Sequence, residues 1–165
     1  MLSSMSSAHD VELRKEASVM ALYVAVCLLE ALAALGEDAD HGHVRAFGLV
    51  WGTTIGLALA HAFAFRLSAR LVAAGQLGRD DAEIVAAQLA GAAFVAAVAT
   101  VPIVLFDATA EFDGVRVTLS FIIGAAGYGV ARSGGASRVR SLISAIVVLL
   151  LAATIAVIKN VLSGH

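Results

Sequence analysis

Five apolar runs divide this chain, each close to the length a helix needs to cross a bilayer. They cover residues 17–35, 46–66, 84–106, 115–131 and 141–158. A hydrocarbon core about 30 Å thick takes about 20 apolar residues at 1.5 Å each. The stretches between the runs are short and charged, so none can build a core of its own. The expected fold is therefore all-α: a polytopic integral membrane protein of five transmembrane helices. Residues 17–162 form its single domain, behind a polar, serine-rich tail at 1–16.

Composition agrees. Of 165 residues, 60% are hydrophobic and 15% charged, with a mean hydropathy of +0.91. Soluble domains sit at about half and a quarter. The fourth run is the shortest. Its uninterrupted part, 117–131, has fifteen residues and covers only about 22 Å, so snorkelling by Arg116 and Arg132 is expected to lengthen it. The first run is preceded by Arg14 and Lys15, and Ala31-Leu32-Ala33 imitates a signal-peptidase site. Asp10, Glu12 and Glu16 neutralise the leading segment, however, and Glu30 sits where processing would occur, so a retained span is expected. The second helix is expected to continue past Arg66 and Arg70 and to end at Gly75 and Gly78. Pro102 should kink the end of the third.

Five spans sort the loops onto two sides. Arg14, Lys15, Arg66, Arg70, Arg79, Arg132, Arg138 and Arg140 share the amino-terminal side, eight positive residues against three (Arg45, Arg116, Lys159) on the other. Positive residues favour the cytoplasm, so the amino terminus is expected to be cytoplasmic and the opposite face acidic. Arginine outnumbers lysine nine to two and alanine is abundant. That composition points to a bacterial plasma membrane as the location. The net charge of −2 is too small to suggest a nucleic-acid partner. The single cysteine, Cys27, lies inside an apolar run and reads as a small buried residue.

Within the second run, Gly48, Gly52, Gly56, Ala60, Ala64 and Ser68 recur at every fourth position. On a helix they make one narrow stripe almost free of side chains, against which another backbone can press. Either a second copy or a helix of the same chain is expected to occupy it. The partners anticipated are therefore the lipid bilayer and further copies or other membrane subunits.

Few polar residues interrupt the runs. His61 lies about five residues from the cytoplasmic end of its span, with Thr54 and Ser68 on the same face. Glu30 lies near the outer end of the first span, with Tyr23 and Cys27 on its face. Ionisable groups at such depth are candidates for carrying protons or cations, because leaving them unpaired in lipid is costly. Histidine adds a titration range near physiological pH. Gln88 enters the third span at the depth of His61, and a hydrogen bond between them is the expected structural pairing. Glu30, His61, Gln88 and Thr54 are thus the candidate pathway residues.

The loop Glu37-Asp38-Ala39-Asp40-His41-Gly42-His43 has metal-ligand residue types, but nothing fixes their geometry, and a solvated acidic loop is expected. Gly127-Tyr128-Gly129 lacks the upstream threonine of a potassium-selectivity loop, so these glycines are expected to thin a packed helix. No nucleophile elbow, P-loop, HExxH or dinucleotide fingerprint occurs, and neither enzyme activity nor a metal or cofactor is anticipated. Two functional expectations remain. One is an oligomeric ion or proton channel or carrier. The other is a non-catalytic structural or regulatory subunit of a membrane complex.

Overall fold

The computed structural model describes residues 2–34, 42–72, 79–107 and 110–162. They form five helices: α1 Leu2–Ala33, α2 His43–Val72, α3 Arg79–Leu105, α4 Glu111–Ser133 and α5 Arg138–Leu162. All five are long and apolar enough to cross a membrane, which is the pattern of a multi-pass membrane protein. The expected acidic loop of residues 37–41 and the expected stop at Gly75 and Gly78 lie outside the described residues.

Two elements differ from expectation. Residues 2–16, expected as a polar tail, are the first turns of α1. Polar contacts fasten this part: Glu12 pairs with Lys15 at 2.9 Å within the helix, and His9 reaches Glu83 of α3 at 2.7 Å. The fourth helix is not short. Its 23 residues cover about 34 Å. Asp113 and Glu111, expected in a loop, form its first turn, where the positive end of the helix dipole favours carboxylates. Arg116 does not snorkel: its guanidinium bonds the carbonyl of Leu32 at 2.8 Å and Asp113 at 3.0 Å. It thereby satisfies the carboxyl end of α1.

The α4–α5 turn shows how the local sequence ends a helix. Gly135 takes φ +80°. Its N–H bonds the Arg132 carbonyl at 3.0 Å, and the Ala136 N–H bonds that of Ala131 at 3.1 Å. This is the Schellman pattern, in which the left-handed position favours glycine.

Helices α1, α3 and α4 pack on one another around Val24, Leu28, Val95, Ala99, Leu119 and Ile123, all buried. α2 lies against α3 on one flank and α5 against α4 on the other, and among the described residues the two flanking helices do not touch. The close approaches come from glycines outside the α2 stripe. A Cβ on Gly91 of α3 would fall on the carbonyl oxygen of Ala17 in α1 and 2.9 Å from its carbonyl carbon. On α4, a Cβ on Gly127 would lie 3.1–3.2 Å from Ala145 and Val148 of α5. Ser144 closes that contact by donating to the Gly127 carbonyl at 3.2 Å. The Gly127 segment is a thinned packing helix, as its sequence suggested.

The α2 stripe is not used this way. Among the described residues, nothing lies within 4 Å of a Cβ built on Gly48, Gly52 or Gly56, and Ala60, Ala64 and Ser68 are exposed. Packing of this stripe inside the protomer is thereby corrected: α2 buries Ala46, Val50, Thr54 and Ala58 instead, on its other face.

Candidate functional site, a polar cavity among the first three helices

Gln88 is 6% exposed and donates from Nε2 to the Glu16 carboxylate at 2.8 Å. Its Oε1 has no hydrogen-bond partner among the described residues. The expected bond from Gln88 to His61 is thus replaced by one to Glu16, which the sequence had left in the polar tail. His61 nevertheless faces the same place. Together with Tyr23, Val19 and Met20, these three side chains line one cavity of about 280 Å³.

The three polar residues lie toward the same end of the apolar runs: Glu16 immediately precedes the run of α1 that opens at residue 17, Gln88 lies four residues into that of α3 from residue 84, and His61 five before the close of that of α2 at residue 66. Gly91 makes the meeting possible, because the backbone contact it allows lies at Ala17, next to Glu16, and one turn from Gln88. A carboxylate, an amide and an imidazole around a small cavity can accept, hold and hand on a proton, or coordinate a small cation.

The other expected pathway residues lie elsewhere. Thr54 is buried and donates to the Val50 carbonyl of its own helix at 2.7 Å. It lies about 10 Å further along α2 from His61. Glu30 is half-buried near the far end of α1, about 21 Å along the helix from Glu16. Between these levels Trp51 Nε1 of α2 donates to Thr100 Oγ1 of α3 at 2.9 Å, while Thr100 donates to the Ala96 carbonyl.

At the Glu30 end lies a second feature that the sequence did not reveal. Glu111 is 0% exposed. The Nδ1 of His43 is 2.7 Å from its Oε2, with the imidazole itself largely exposed. Neither carboxylate oxygen receives a hydrogen bond from the described residues. The sequence signal was faint: a glutamate one turn into a segment that reads as a loop. Among the described residues, no group of three or more metal-ligand side chains comes together.

No protein-family model, curated protein or solved structure matches this chain. What the fold and the cavity define is a class, an all-helical protein with the pattern of a multi-pass membrane protein and a polar cavity lined from three of its helices.

Proposed function

We propose that this chain is a small bacterial plasma-membrane protein that assembles from several copies and passes protons or small cations. The Glu16–His61–Gln88 cavity is its titratable station. One observation carries the reading: three helices bring a carboxylate, an imidazole and a buried amide to one cavity at the same end of their apolar runs. A buried polar group costs stability unless it is used or fully paired, and the buried Gln88 has an Oε1 that is not paired among the described residues.

The centre of the protomer is apolar side chain, so a path through one copy alone is disfavoured. A second copy pressed on the uncovered Gly48–Gly52–Gly56 face of α2 would supply a wall beside His61. The excess of positive residues on one side supports an amino terminus, and with it a cavity, toward the cytoplasm.

The test is proton and cation flux into liposomes holding the purified protein. Flux above empty liposomes, abolished by His61→Ala or Glu16→Gln and retained in Glu30→Gln, is the expected result. Absence of flux under every gradient, from protein shown to be folded, rules transport out.

The uncovered apolar face of α5, with Leu142, Ile143, Ile146 and Leu150 exposed, favours a second reading: a non-catalytic subunit of a larger membrane complex. It requires the protein to leave the membrane bound to other chains and to remain a monomer when isolated.

A further inference from the structure

We propose that His43 and Glu111 form a proton-binding site at the end of the bundle opposite the cavity, in which the imidazole is the route between solvent and the buried carboxyl. The inference is independent of transport and stands whether or not the cavity conducts.

Glu111 is the one fully buried carboxylate among the described residues. A carboxylate stripped of water and of hydrogen bonds is costly to leave charged and alone. The fixed cation nearest in sequence, Arg116, is committed to Asp113 and to the Leu32 carbonyl. The group seen against Oε2 is one that can gain or lose a proton, the His43 ring.

The pair can therefore hold one proton in two forms. With the proton on Nδ1, an imidazolium faces a carboxylate at the positive end of α4. With the proton on Oε2, a neutral acid faces a neutral ring. Exchange with water follows from the exposure of the ring. His43 accepts a proton from water at Nε2 while releasing the Nδ1 proton to Oε2, and the reverse sequence returns it, with no net change in the ring. Glu111 itself has no exposed surface through which to exchange.

The other charged groups on the neighbouring elements are placed by the sequence. Glu30 belongs to the last turns of α1, Arg45 to the first turn of α2, Asp107 follows α3, and Asp113 and Arg116 belong to α4. From α5, the sequence brings Lys159 to its final turns. Because the pair bridges the first turns of α2 and α4, its proton also bears on how those helices are held together.

The test uses the full chain in lipid nanodiscs. Infrared difference spectra follow the Glu111 carboxyl, assigned by its loss in Glu111→Gln, as pH is jumped, and NMR of ¹⁵N-histidine-labelled protein follows the His43 ring. The two signals are expected to change together, and Glu111→Gln to change the pH profile of the ring. His43→Gln keeps a polar side chain that cannot titrate, and is expected to slow the response of the carboxyl by roughly 10²-fold, the scale of a lost general acid–base group. A carboxyl that responds at the wild-type rate in His43→Gln overturns the proposal. So does a ring profile unchanged in Glu111→Gln, which decides the matter even where His43→Gln does not fold.

Discussion

Gly91→Ala adds a single methyl group where two helix backbones touch. Its Cβ would fall on the carbonyl oxygen of Ala17, with the carbonyl carbon at 2.9 Å and Cα at 3.1 Å. Carbon atoms in contact prefer about 3.5–4.0 Å, so α1 and α3 must part by about 0.5–1 Å. The obstacle is main chain, which cannot rotate aside as a side chain would. Overpacking costs about 1–3 kcal/mol, and this site belongs at the upper end. Alanine recovers about 1 kcal/mol of helix propensity over glycine, leaving a net loss of about 2 kcal/mol. The same shift pulls Glu16 away from Gln88 and breaks their 2.8 Å bond. Unfolding in mixed detergent micelles measures the stability, with Gly48→Ala as the control, since nothing lies within 4 Å of that position. The control is expected to match or slightly exceed wild type. Gly91→Ala as stable as the control refutes the close backbone approach and, with it, the account of how the cavity is built.

Other contacts give smaller, separable effects. Trp51→Phe removes the donor to Thr100 and should cost about 1 kcal/mol in the same unfolding assay, since hydrogen bonds between membrane helices contribute about 0.6–1.7 kcal/mol. Gly135→Ala forces a Cβ onto φ +80° and should cost about 1 kcal/mol, whereas Gly134→Ala, outside the left-handed region, should cost less. Gly52→Ile fills the uncovered α2 stripe. It should leave the unfolding of the monomer near wild type while lowering the oligomer fraction seen by light scattering in detergent.

The number of helices was legible because apolar length is read directly from the chain: five runs became five helices. Their ends were less legible. Residues 2–16 look like tail by hydropathy, yet contacts such as His9–Glu83, which join positions 74 apart, fasten them as helix, and no local pattern reports such a pair. The same blindness hid Glu16 from the site, although the depth of Gln88 and His61 could be counted along their own runs. Small-residue spacing proved ambiguous in a physical sense. It marks a helix that can be approached closely, and says nothing about whether the approaching helix belongs to the same chain. Gly91, an isolated glycine with no stripe around it, makes the tightest contact, and the regular stripe on α2 makes none.

That division bears on how polar groups are distributed along the bundle. Glu16, His61 and Gln88 lie toward one end, and His43, Glu111 and Arg116 toward the other. Between them the shared interior of α1, α3 and α4 is closed by Val24, Leu28, Val95 and Leu119, whose packing leaves no line of donors and acceptors for water or a proton to follow. The polar groups at mid-height on α2 and α3, Thr54, Trp51 and Thr100, spend their hydroxyl and indole hydrogens on each other or on their own helices. Movement of an ion between the two ends would therefore require either a separation of these helices or a route along the outside of the protomer. The second needs no disruption of a packed core. It asks only that the exposed flank of α2, already stripped of side chains at Gly48, Gly52 and Gly56, be enclosed by another helix. For the proposed transport, the oligomeric state in a bilayer is thus the property that decides whether such a route exists.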